Sequence, residues 1–275
     1  MNRYGRGMMA AACVAALTVA SAPARELGYM SLFTDEEAAQ PHVVATSYTL
    51  PQDFVDGQWQ GIIAASDGKT YFSVSSHAPD NNAQFYRYDP ATDAIEHLAD
   101  VGVWCGYDDS PGNYNAQGKI HSNLYEFEGK LYGTTTSAHH EPPGAYAGGH
   151  FLAYDLETGA LENLGMVPCP DGKWGLLAGV FDPVYRRLYG MHQMGSLYYY
   201  DLDTQAVVEV GPVEDGTWQG RGLIVDDHGV VYGSTHDGMI YRYDPATEVI
   251  SCLLTRVPYD PDWTQPKGPS GIAND

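Results

Sequence analysis

The stretch DGTWQGRGLIVDDHGVVYGSTHDGMIYRYDPATEVISCLL, residues 215–254, decides the fold. It reads as four short strands, RGLIV, VVYGST, MIYRYD and VISCLL, separated by the turn signals DDHG, HDG and DPAT. Apolar, β-branched and aromatic residues fill the strands, while Asp, Gly and Pro mark the reversals.

The same pattern recurs along the chain. Tyr-Asp appears at Tyr88-Asp89, Tyr154-Asp155, Tyr200-Asp201 and Tyr243-Asp244, each followed by a threonine: Thr92, Thr158, Thr204 and Thr247. The tryptophans Trp59, Trp104, Trp174, Trp218 and Trp263 keep register with it, at steps of 44 or 45 residues except for one of 70. A period in the mid-forties built of short aromatic strands predicts an all-β fold, a β-propeller of four-stranded antiparallel blades. The blades are expected over 56–102, 103–168, 169–214 and 215–258, with the start of a fifth over 259–275. The chain thus reads as a truncated propeller, with 42–51 as an outer strand that would close a last blade. The Asp and Thr of each Tyr-Asp-x-x-Thr element are expected to satisfy turn backbone, and the Tyr to fill the gap between blades.

Before the repeats, Arg3 and Arg6 precede the apolar run MMAAACVAALTVA, and Ala22-Pro23-Ala24 supplies a small-x-small cleavage site. Residues 1–24 read as a secretory signal peptide, too short for a membrane span. The formal charge of −21 becomes −23 without that segment. Such a surface repels phosphates and argues against a nucleic-acid partner. Oligomeric state is not legible. Cys105, Cys169 and Cys252 remain after Cys13 leaves. An odd count is no disulfide framework, but it is compatible with one bridge and a free thiol, or with a structural zinc that also uses histidine.

The second repeat departs from the others. Trp104 to Tyr132 spans 28 residues against 14 from Trp218 to Tyr232, and HHEPPGAYAGGH enlarges a second loop. In a propeller, the start of innermost strand A and the end of strand B share one face. His121 opens the first strand of KIHSNLYEFEGKLYGTTTSAHH (119–140), and His139 and His140 follow the second, so all three belong to that face. Eleven residues before each strand-B tyrosine stand His121, Arg221 and Gln60, counted from Tyr132, Tyr232 and Tyr71. His77, His192 and His236 lie just past strand B in the first, third and fourth repeats. Histidines with a lone arginine, in a chain with few cations, point to an anionic ligand.

The chemistry that suits such a set is β-elimination on a uronic acid. Arginine neutralises the carboxylate, a neutral His or a tyrosinate takes the adjacent carbon-bound proton, and a second group protonates the leaving oxygen. Paired carboxylates for hydrolysis are not anchored to this face, and no G-x-S-x-G is present. K-I-H-S opening strand A, with a histidine after the next strand B, resembles the propeller polysaccharide lyases, nearest the ulvan lyases. The resemblance implies His121 and His140 as base candidates, Tyr189 as acid or co-base and Arg221 as neutraliser, with His139, Gln60, His192 and His236 around the substrate. It implies no cofactor for the chemistry, though some relatives hold zinc with Cys and His, and Cys169 lies on the same face. The lyases it resembles are seven-bladed and longer. The expected partner is an anionic polysaccharide. A non-catalytic carbohydrate- or protein-binding propeller, and a metal-dependent propeller hydrolase or lactonase, are the competing readings.

Overall fold

The computed structural model describes residues 11–13, 45–107, 115–138, 142, 144–169, 172, 174–213, 220–235 and 238–256. The chain divides into two compact units, Met1–Asp53 and Phe54–Asp275. In the first, β1 (Ala11–Cys13) pairs antiparallel with β2 (Ala45–Ser47), a strand from the segment expected as an outer strand. The rest of the expected signal peptide and the expected start of a fifth blade lie outside the described residues.

The second unit is built from four antiparallel sheets, one per repeat. The first runs β3 (Ile62–Ala64), β4 (Thr70–Val74), β5 (Gln84–Asp89), β6 (Ala94–Asp100) in chain order. The third runs β12 (Leu176–Asp182), β13 (Arg187–His192), β14 (Ser196–Asp201), β15 (Ala206–Pro212). The fourth runs β16 (Leu223–Val225), β17 (Val231–Ser234), β18 (Met239–Asp244), β19 (Val249–Arg256). Short hairpins of Asp, Gly and Thr make consecutive pairing the cheapest connection. Helix among the described residues is limited to the single turn Val101–Trp104, capped by Asp100.

The second sheet differs from the expected four strands because its first strand is broken. It comprises β7 (Lys119–Ile120), β8 (Tyr125–Phe127), β9 (Lys130–Thr136), β10 (Gly148–Asp155) and β11 (Leu161–Pro168), with β7 and β8 both pairing β9. Ile120 faces Thr135 and Tyr125 faces Tyr132, so His121–Leu124 must fit opposite only Gly133 and Thr134. The excess residues bulge out, and the Ser122 hydroxyl accepts the Thr134 N–H at 2.9 Å in place of a backbone carbonyl.

Successive sheets lie side by side, β4 against β7, β9 against β12 and β12 against β16. Each seam has its own core. Tyr71, Phe85, Leu131 and Tyr154 fill the first, Tyr132, Phe151, Phe181 and Leu188 the second, and Val180, Tyr189, Leu223 and Tyr243 the third. The strand-B tyrosine of one sheet meets an aromatic ring of the next: Tyr71 with Tyr154 at 5.4 Å, Tyr132 with Phe181 at 5.0 Å and Tyr189 with Tyr243 at 5.9 Å. Burying one such ring is worth about 1.5–3 kcal/mol, so these contacts set sheet spacing.

Candidate functional site

The site begins at the break between β7 and β8. His121 occupies it and is 2% exposed. Its Nδ1 is buried without a hydrogen-bond partner. Burial foremost, and then the positive charge of Arg221, pull its pKa down to about 4; Lys119 acts in the same direction, while the Leu177 backbone opposes it. His121 is therefore an uncharged imidazole at neutral pH, with one nitrogen uncommitted.

Pairing shows why these groups share one level. Ile63, Tyr125, Val180 and Ile224 stand opposite the strand-B tyrosines Tyr71, Tyr132, Tyr189 and Tyr232. Three residues before them come Gln60, Ser122, Leu177 and Arg221, with His121 displaced one step by the break. The second and fourth sheets thus present His121 and Arg221 at one level, while the third contributes Leu177, where β12 is irregular against β13. Arg221 and Gln60 are half-buried. The Gln60 carbonyl accepts the Ile62 N–H in a tight turn at the head of β3.

Sequence reasoning missed Lys119. A lysine at the head of a strand reads as surface charge, yet its side chain is 2% exposed. The ammonium donates to the Ala138 carbonyl at 3.4 Å and lies 5.1 Å from the centre of the Trp59 ring. Trp59 meets the His77 ring edge-on at 4.7 Å, and His77 Nδ1 is 3.0 Å from Asp56.

Other expected residues sit elsewhere or are otherwise engaged. Tyr189 is fully buried in the third seam, between Tyr199 at 5.5 Å and Tyr243 at 5.9 Å. Burial drives its phenol well above the ordinary range, although the Arg187 guanidinium beside its hydroxyl pulls the other way. Its place matches that of Tyr71 and Tyr132, a packing position rather than one facing His121. His192 is 6% exposed. Its Nε2 lies 3.0 Å from the Trp174 carbonyl and its Nδ1 accepts the Met194 N–H at 3.3 Å, which leaves neither nitrogen for a ligand. His139, His140 and His236 lie outside the described residues.

The described residues do not fit a zinc. No three His, Cys, Asp or Glu among them are gathered for a metal. Cys105 is buried in the first seam core, where burial raises its thiol pKa, and Cys169 Sγ accepts the Trp174 N–H at 3.2 Å. Cys252 is exposed, and none of the three is in a disulfide. At the opposite strand ends lies a hollow of about 320 Å³ lined by Ser66, Asp67, Glu128, Gly129, Asp155, Leu156 and Glu157. Its carboxylates repel an anion. Among the described residues no helix is long and apolar enough to cross a membrane.

No protein-family model matches the chain, and no curated protein matches it. Among solved structures, it is similar to a structural-genomics protein of unknown function from Bacteroides thetaiotaomicron, at 14% identity and a TM-score of 0.45. That match covers 70% of this chain and 42% of the other. It is also similar to the extracellular domain of a putative hybrid two-component system from B. thetaiotaomicron, at 14% identity and a TM-score of 0.48, over 80% of this chain and 24% of that one. The chain therefore spans less than half the length of either neighbour.

Proposed function

We propose that the four sheets are blades of a β-propeller and that the chain is a secreted polysaccharide lyase acting on an ulvan-like, uronic-acid-containing polymer. The observation that carries this reading is His121, its Nδ1 uncommitted and its ring held uncharged beside Arg221. Arg221 takes the uronate carboxylate and so acidifies the adjacent C–H. His121 removes that proton, the electron pair forms the C=C bond, and the bond to the leaving glycosidic oxygen breaks.

An imidazole of pKa about 4 is a weak base in the free protein. A bound carboxylate cancels part of the Arg221 charge and raises that proton affinity, so the base strengthens when substrate arrives. Because His121 is 2% exposed, a sugar reaches it only once the segments over it move. With Tyr189 in the seam, His140 is left as the protein candidate for protonating the leaving oxygen.

The test is ultraviolet absorbance during incubation with ulvan and other uronic polymers, since elimination creates a conjugated double bond. The wild-type signal rises, and His121→Ala lowers its rate by about 10²–10⁴-fold. Tyr189→Phe leaves the rate within a few-fold; a hundredfold loss in a folded Tyr189→Phe protein would return the acid role to Tyr189. A second reading, a non-catalytic binding propeller, draws support from the closed setting of His121 and the packed Tyr189. A flat trace with retained polymer binding would establish it.

A further inference from the structure

Gln193 follows β13 directly, and its N–H donates to the Gly175 carbonyl at 3.1 Å, which continues the pairing of His192 with Leu176. Its side chain is fully buried, and neither the amide nitrogen nor the amide oxygen has a hydrogen-bond partner. Leaving both halves of a buried carboxamide unpaired is costly, so such an amide calls for a partner, a ligand or an ordered water. Ser73, Thr134 and Ser234 also carry buried hydroxyls without partners. Each of those can rotate its single proton; a planar amide presenting a donor and an acceptor has no such freedom.

The strand register gives Gln193 a direction. Alternate residues share a strand face, so Gln193 lies on the side of Tyr189 and Met191, which pack in the third seam with Tyr243 and Leu223. That side is the one the fourth sheet covers, and the fourth sheet is entered through Gly220, bonded to Ser234, and Arg221. On the other side, the His121 imidazole lies against the Leu177 backbone. The segment 175–177 thus has the His121 imidazole of the second sheet against it and is paired to Gln193 within the third, while the Arg221 charge of the fourth acts on that same imidazole.

We propose that Gln193 is a substrate-contacting residue of this site, its carboxamide hydrogen-bonding ring hydroxyls of a sugar acid whose carboxylate lies against Arg221. The inference rests on the reading of the site as one for an anionic sugar, and it adds selection for a hydroxylated acid over a simple carboxylate. A site built to hydrogen-bond hydroxyl groups rejects analogues that lack them.

The experiment is calorimetric titration of the full chain with sodium glucuronate and, separately, sodium acetate, paired with thermal melts. The wild type binds glucuronate more tightly than acetate. Gln193→Met, close in shape but without polar atoms, weakens glucuronate binding about tenfold and leaves acetate unchanged. Removing an unpaired buried amide also raises the melting temperature of the unliganded protein by about 2–4 °C. Unchanged glucuronate affinity in Gln193→Met overturns the inference, as does a lowered melting temperature, which would mark the amide as a structural holder of internal water. If Gln193→Met does not fold, equal wild-type affinities for glucuronate and acetate overturn it alone. Failure of the lyase reading is read separately: a flat ultraviolet trace leaves Gln193-dependent glucuronate binding intact, whereas loss of Gln193 dependence leaves elimination intact.

Discussion

His121 couples the site to stability. Its folded pKa of about 4 lies below the ordinary histidine value, so between roughly pH 6.5 and 4 the unfolded chain binds a proton that the folded protein refuses. Stability therefore falls as pH drops through that window and is flat with respect to this group below it. The full difference is about 3 kcal/mol by linkage. Urea midpoints at pH 7 and 4.5 measure it: the wild type loses much of that amount, and His121→Gln loses correspondingly less. Equal losses in both proteins would mean that other groups, His150 among them, carry the effect. At this scale, the matching strand positions of His121 and Arg221 were legible because both can be counted from a strand-B tyrosine. Gln193 and Lys119 were not, because a lone amide and a lone lysine look the same in sequence whether exposed or buried. Tyr189 misled because a phenol near a strand end has the same signature in a seam as in a site.

The hairpins between the last two strands of each sheet show what the Tyr-Asp-x-x-Thr element does. Asp155 Oδ1 accepts the N–H groups of Glu157 and Thr158 at 3.1 and 2.8 Å, and Asp201 Oδ1 accepts those of Asp203 and Thr204 at 3.1 and 2.9 Å. The residue after each threonine takes the left-handed conformation: Asp93 at φ 55°, Gly159 at 71°, Gln205 at 55° and Glu248 at 57°. Only the second sheet uses glycine there, and other residues lose about 1 kcal/mol in that conformation. Gln205→Gly and Glu248→Gly are therefore expected to raise stability by up to about 1 kcal/mol each, and Gly159→Ala to lower it by a similar amount, read from denaturant midpoints. Destabilisation by both glycine replacements would mean that unfolded-chain entropy outweighs the local strain. Strand positions were legible because turn chemistry and aromatic spacing repeat together. The split of the second sheet's first strand was not, since KIHSNLYEF reads as continuous until pairing shows four residues facing two.

Across the whole molecule, cover and charge matter more than any one contact. Val180 is 4% exposed where the fourth sheet covers it, while its register mate Ile224 in the fourth sheet is 41% exposed and Ile62 in the first is 50% exposed. Among the described residues, the two middle sheets are thus packed on both sides, and the first and fourth keep apolar residues open on their first strands. Charge is just as uneven. The chain carries a formal charge of −21, while the candidate site's own groups, Lys119 and Arg221, are cationic. On the lyase reading, a polyanionic substrate crosses the repulsive field before it meets these cations, and salt acts oppositely on the two. From about 0.01 M to 0.15 M the screening length falls from about 30 Å to about 8 Å, which removes long-range repulsion while leaving the close arginine–carboxylate contact. Toward 1 M, at about 3 Å, that contact weakens too. For a lyase with this site, the initial ultraviolet rate at low polymer concentration should rise with sodium chloride, pass a maximum and fall. A monotonic fall would mean that the Lys119 and Arg221 charges reach beyond the acidic surface and steer substrate inward. A monotonic rise would remove Arg221 from carboxylate binding altogether, because a charge pair at a half-buried arginine weakens as screening grows.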